Sequence, residues 1–273
     1  MSSALSPFHP IHLCQPDPGK SCSACCGLYN WKDHSRAALE SILAMQTELL
    51  SVHLPEGTID AYRAAREKKL KNTKLCHDIY NCEFIGFLNQ DHTRVGCLAH
   101  PAVNNGRDFR DLCLYGHEIC HNHFCPAYSC LSIIEQTSVV LSIDDWYLYG
   151  LTITDIDLVK DFFKHVENRI GDSIKEKHIR QPEAQRALKD FFMLKLHWPY
   201  KARQPRLGKY YFTQTEYAIA RIEYHKRWGI LPSIYDSILV SLESDFASVE
   251  ELRTAERMIE EKILLFIHAC GLV

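Results

Sequence analysis

Eleven of the twelve cysteines lie between Cys14 and Cys130, and only Cys270 lies beyond them. No other feature constrains the chain as strongly. Thiols gathered in one half of a protein are paired as disulfides, bound to metal, or buried as small apolar groups. The compartment decides among these. Met1 to Leu13 shows no basic stretch followed by an apolar one, as a secretory leader would. No apolar run is long enough to cross a bilayer, so no membrane partner is expected. The expectation is a cytoplasmic chain, in which thiols stay reduced and clustered cysteines hold metal.

The spacing sharpens this reading. A first group holds Cys14, Cys22, Cys25 and Cys26; a second runs Cys76, Cys82, Cys97, Cys113, Cys120, Cys125 and Cys130. Two residues separate Cys22 from Cys25, which lets both sulfurs turn back on one ion at ~2.3 Å. Cys26 adds a third thiol. Side chains of adjacent residues diverge, so Cys25 and Cys26 are expected to serve different roles or different ions, and a disulfide between them would be strained. A lone CxxC pair equally suits a thioredoxin-type redox site. Nothing ahead of it reads as the strand of a βαβ unit, however, and that role needs none of the later cysteines. The candidate metal ligands are Cys22, Cys25, Cys26, Cys76, Cys82, Cys97, Cys113, Cys120 and Cys125. The run from Cys120 to Cys125 also carries His121 and His123, and with Cys113, His117 or Cys130 it could complete a second site. For His100, His117, His121 and His123 the choice between ligand and surface residue stays open.

These residues resemble the YkgJ-type cysteine-cluster proteins, a family of zinc- or iron-chelating domains. The likeness lies in the CxxCC element Cys22-Ser23-Ala24-Cys25-Cys26, in Cys82-Glu83-Phe84-Ile85, and in Gly96-Cys97-Leu98-Ala99-His100-Pro101. Cys113 is the counterpart of a further family cysteine. The resemblance covers roughly residues 14–130. Seven residues separate Cys14 from Cys22, more than the family pattern has, and a longer insert follows Pro101. Cys76, Cys120, Cys125 and Cys130 are additional. The resemblance implies metal chelation and little else.

Zinc is the default metal for mixed thiolate and imidazole ligands. An iron–sulfur cluster is the alternative, although neither ferredoxin spacing nor a CxxxCxxC motif is present. Net charge is −3 on 273 residues, which gives no whole-chain field for nucleic acid, and nucleic acid is not an expected partner. The basic run Arg63, Arg66, Lys68, Lys69, Lys71 and Lys74 reads as a solvated helix face beside acidic neighbours. Asp144-Asp145 and Asp155/Asp157 read as helix starts rather than catalytic pairs. Cys270 reads as a buried small hydrophobe. No Walker loop, GxGxxG, nucleophile elbow or HExxH occurs.

The fold class expected is mainly α. A loop-rich, metal-organised cysteine module (1–135) with few short strands would pack on a C-terminal helical bundle (136–273). Leu39, Ile42, Leu43 and Leu50 recur at helical spacing after Asp33 or Ser35, with Pro55 and Gly57 breaking the pattern. A basic helix follows over residues 59–71, and Phe84 to Leu88 suits a short strand. Apolar stripes predict further helices from Thr154 or Asp155, from Pro182, after a Thr213/Glu216 capping pattern, from Pro232, and after Ser248/Glu251. Tyr210 to Phe212 suits extended chain. The leading functional expectation is a zinc-stabilised protein with an interaction or regulatory role through a protein partner. The alternatives are an iron–sulfur redox protein and a metal-dependent enzyme with an open metal position.

Overall fold

A computed structural model describes residues 12–206, 209–211, 216–218 and 220–272. The chain is mainly helical. In the N-terminal half, α1 (Arg36–Glu56) and α2 (Ile59–Lys69) precede a hairpin of β1 (Ile85–Phe87) and β2 (Val95–Cys97). Short helices α3 (Gly116–Asn122) and α4 (Ala127–Cys130) follow. The C-terminal half contains α5 (Ile133–Ser142), α6 (Trp146–Ile153), α7 (Ile156–Ile170), α8 (Glu176–Ile179), α9 (Pro182–Phe192) and α10 (Leu194–His197). A second hairpin, β3 (Lys209–Tyr211) and β4 (Glu216–Ala218), then leads to α11 (Tyr224–Trp228), α12 (Asp236–Ser241) and α13 (Val249–Ala269).

Ser35 caps α1, accepting from the Ala38 N–H, and Gly57 ends it in the left-handed region. Pro55 does not break this helix. It sits in the last turn, where a proline removes only one hydrogen-bond donor. The α1 face of Leu39, Ile42, Leu43, Leu50 and Leu54 is buried, and so is Gln46. Gln46 donates to the Ile85 carbonyl (2.5 Å) and accepts from Arg66 Nε (2.8 Å), so one amide joins α1, α2 and β1. The hairpin pairs Ile85 with Cys97, Gly86 with Gly96, and Phe87 with Val95. Gly86 lies against α1: a Cβ there would stand 2.4 Å from Thr47 Oγ1.

In the C-terminal half, α7, α9 and α13 pack around Phe162, whose ring lies 4.3 Å from Phe191 and 5.4 Å from Phe266, centroid to centroid. Asp155 caps α7, Pro182 opens α9, and Ser248 caps α13. Asp145 caps α6, accepting from Tyr147 and Leu148 N–H. Both aspartates thus sit at helix starts. Cys270 is buried at the end of α13.

Two expectations fail here. Glu216, read as part of a helix cap, begins a strand that pairs antiparallel with Lys209–Tyr211; Thr213 and Phe212 lie outside the described residues. A local S/T-x-x-E pattern does not outweigh the pairing of two runs that carry Tyr210, Tyr211 and Tyr217. Pro232 does not open a helix either. Helix α12 starts at Asp236, after a turn in which Ser233 Oγ accepts from the Tyr235 N–H.

The apolar side chains form two cores. One contains Leu28, Trp31, the α1 face and the first hairpin; the other contains the C-terminal helices. Each crosses the boundary near residue 135. Trp146 and Tyr147 join the first core, whereas Leu13, Cys125 and Ala127 join the second. Among the described residues, no single helix is long and apolar enough to cross a membrane.

Candidate metal centre

The CxxCC segment folds as one short turn, Ala24–Cys26, closed by Gly27 in the left-handed region (φ 78°). Glycine is required there twice over. A side chain would be strained at that φ, and its Cβ would lie 2.0 Å from the Tyr80 carbonyl oxygen. This close approach sets the turn against the segment leading into Cys82, whose N–H donates to the Cys26 carbonyl (2.8 Å). Two buried asparagines lock the same junction. Asn30 Nδ2 donates to the Cys76 carbonyl (2.8 Å) and to Asn81 Oδ1 (2.7 Å). Asn81 Nδ2 in turn donates to the Gly27 and Asn30 carbonyls (3.0 Å each).

The N-terminal strap is fixed differently. The Leu13 N–H donates to Tyr128 Oη (2.7 Å), and Tyr149 Oη donates to the Leu13 carbonyl (2.8 Å). The Cys22 N–H donates to the Cys14 carbonyl (2.9 Å). Cys14 is therefore held close to Cys125, and the two thiols interact electrostatically.

The thiols gather into two groups. Cys22, Cys25 and Cys125 lie on the C-terminal core, and Cys14 interacts electrostatically with Cys22 and Cys125. Cys26, Cys82, Cys97, Cys113 and Cys120 form the second set. Cys113 and Cys120 sulfurs are 3.5 Å apart. The groups adjoin through Cys25–Cys26 and Cys14–Cys26. This division cuts across the sequence order, because Cys120 and Cys125, read as neighbours in one second site, go to different groups. Cys76 joins neither; its backbone is held by Asn30 instead. Cys130, whose sulfur lies 3.8 Å from Ser129 Oγ, packs on the same core as Cys22, Cys25 and Cys125.

Burial pushes most of these thiols up, because a thiolate loses its hydration inside the protein. Cys14 and Cys97 rise to about 11 and Cys120 to about 12, while Cys22, Cys26 and Cys82 lie well above the ordinary value. Cys125 runs the other way. The Cys25 thiol donates to it, which raises Cys25 and holds Cys125 down.

Against that burial cost, backbone donors are aimed at the sulfurs. The Ala24 N–H donates to Cys22 Sγ (3.4 Å), and the backbone N–H of Phe84, Ala99 and Ala127 acts to lower the thiols of Cys82, Cys97 and Cys125. Each such bond favours the charged thiolate, the form that binds metal. Arg110, 5% exposed, adds a buried guanidinium near Cys97 and Cys120, held by Asp108 through Nε at 2.9 Å.

The histidines are placed otherwise. His100 Nδ1 accepts from the Ala102 N–H (3.1 Å), His117 faces Asp108 (3.6 Å), and His117 stacks on His121. Burial pulls His123 down. Among the described residues, no imidazole pairs with a thiol of either group. No three His, Cys, Asp or Glu side chains there are drawn tightly enough around one point to grip an ion as they stand. The sulfurs are gathered, not closed.

Sequence reasoning missed Asn30, Asn81, Gln46 and Arg110, since no periodicity marks a polar residue as buried. The Ala24 donor to Cys22 could have been sought, because a non-proline residue stands two positions after that cysteine. No family model, characterised protein or solved structure matches this chain.

Proposed function

We propose that the chain is a metal-binding protein, with zinc as the first expectation, held by thiolates from the two groups. The observation that carries the reading is the gathering of the cysteines: Cys22, Cys25 and Cys125 lie on one core, Cys26, Cys82, Cys97, Cys113 and Cys120 on the other, and the Cys113 and Cys120 sulfurs are 3.5 Å apart. The Ala24 N–H aimed at Cys22 Sγ favours the charged form of that thiol, which packing alone does not call for. The likeness of Cys22–Cys26, Cys82–Ile85 and Gly96–Pro101 to the YkgJ-type proteins belongs to the same proposal.

Metal would organise the N-terminal half, whose segment 70–130 has little regular structure. Structural zinc supplies ~10–16 kcal/mol of folding free energy in small peptides, ample for a loop-rich module. The output we assign is interaction or regulation through the helical half. A second reading, an iron–sulfur redox centre, is favoured by one observation: the gathered ligands are all thiols, which such clusters require and Cys₄ zinc sites also accept.

Elemental analysis of anaerobically purified protein, with its visible spectrum, tests both. Stoichiometric zinc without colour supports the first reading; iron with acid-labile sulfide and a brown colour supports the second. Protein that folds fully with neither metal overturns both. Cys125→Ser and Cys82→Ser, compared by metal content, then separate the two groups: each should lose metal while retaining part of it.

A further inference from the structure

Where the two halves meet, a cleft of about 450 Å³ opens beside α1 and α6. It shares His34, Leu151, Lys195 and Glu243 with an inner chamber of about 110 Å³, whose wall includes Cys25 and Cys125. The outer volume lies within the range of small-molecule sites.

The charge in this cleft is unlike that of the whole chain. Five cations line the outer part, Lys32, Arg36, Lys195, Lys201 and Arg203, against the carboxylates of Asp33 and Glu243. Three are answered from within the protein: Arg36 by Asp145, Lys195 by Asp155 (2.6 Å), and Lys201 by Glu243 (3.1 Å). Among the described residues, Lys32 and Arg203 meet no carboxylate. Nor does Arg206 in the inner chamber, whose Nη2 donates to the Ser244 carbonyl. A surplus of positive charge therefore faces the cleft.

The inner chamber holds two polar atoms buried without a partner, a donor (Arg206 Nε) and an acceptor (Glu243 Oε2). Glu243 is unusual in a second way. Its φ is +58°, a conformation that favours glycine. It is held there by its own N–H donating to the Val240 carbonyl and by the Ala202 N–H donating to its carbonyl (2.9 Å each). Its Oε1 pairs with Lys201 (3.1 Å), and Oε2 is left without a partner. A strained residue in a cavity wall whose carboxylate keeps one buried oxygen unpaired is a feature of binding sites.

We propose that this cleft binds a small organic oxyanion, a carboxylate or phosphate ester that also carries an O–H or N–H donor. Its acidic group sits on Lys32, Arg203 and Arg206, its donor reaches Glu243 Oε2, and its inner end lies against the wall formed by Cys25 and Cys125. The site stands on the geometry of the cleft and does not depend on which metal the thiols hold.

Calorimetric titration of the full-length protein, as purified, with citrate and with glycerol 3-phosphate tests this, using sodium sulfate as an anion that lacks a donor. At least one of the two hydroxylated probes should bind, about tenfold or more tighter than sulfate. Citrate alone identifies a carboxylate site, and glycerol 3-phosphate alone a phosphate site. Lys32→Ala and Arg203→Ala alter exposed side chains and should each weaken binding about tenfold. Glu243→Gly relieves the positive φ, so it should keep its melting temperature and metal content while losing the preference over sulfate. Absence of saturation by both probes, equal affinity for sulfate, or unchanged affinity in all three variants would overturn the proposal. Metal content, measured on the same samples, reports separately on the thiol groups.

Discussion

A Cβ on Gly27 would stand 2.0 Å from the carbonyl oxygen of Tyr80, and this one approach fixes the CxxCC turn against the segment that delivers Cys82. Gly27→Ala must therefore move backbone, not a flexible side chain, and it must hold alanine at φ 78°. The expected cost is ~2–4 kcal/mol. Gly57→Ala is the control: it also has positive φ but has open space around it, so it should cost only ~1 kcal/mol. Urea melts of the two variants check the difference, which should be accompanied by loss of metal only in Gly27→Ala.

The asparagine clasp makes a second prediction. Asn81→Leu removes the donor to the Gly27 and Asn30 carbonyls and leaves Asn30 Nδ2 without one acceptor, all in a buried setting. Unpaired buried polar groups cost ~1–3 kcal/mol each, so a loss of ~2–4 kcal/mol is expected by chemical denaturation. Asn72→Ala, which removes two exposed bonds, one donated to the Asp33 carbonyl and one accepted from the Asp33 N–H, should be nearly silent.

Removing metal should reverse the response to pH. In metal-free protein, Cys14 and Cys97 titrate near 11 when folded, against an ordinary value near 9. Between those values the folded chain holds more protons than the unfolded one, so stability falls as pH rises through about 9 to 11. Cys125, held down by the Cys25 thiol, opposes this in part, but the raised thiols outnumber it. In the metal-loaded protein the ligands are already thiolates, and stability is lost on the acid side as protons compete with the ion. Thermal melts with and without chelator, between about pH 5 and pH 10.5, should show opposite slopes.

Phe266→Ala tests the C-terminal core. Its ring meets Phe162 and Phe163 with no exposure, so truncation should cost ~3–5 kcal/mol. Metal content of the folded fraction should stay unchanged, because neither thiol group includes a residue of α13.

The long helices were legible in the sequence because their burial is periodic. Leu39, Ile42, Leu43 and Leu50 mark α1, and Leu252, Ala255, Ile259, Ile263 and Phe266 mark α13, with serine caps in both. The loop-rich character of residues 70–130 was also legible. The grouping of the thiols was not. It depends on Leu13 finding Tyr128 and Tyr149, more than a hundred residues away, which no local spacing records. Glu243 was invisible for a similar reason: its strained φ is imposed by Ala202 and Val240, and the sequence around it reads as an ordinary turn.

Helix α6 gives Trp146 and Tyr147 to one core and Leu148 and Tyr149 to the other. Eight residues thus serve as a shared keel. A chain cut or permuted near residue 135 would strand this keel with one half and leave the other with an open apolar seam, so the halves cannot be traded between proteins as interchangeable modules. Insertions that respect both cores must fall elsewhere, at tips such as Asn104–Gly106, where a Cβ on Gly106 would meet nothing.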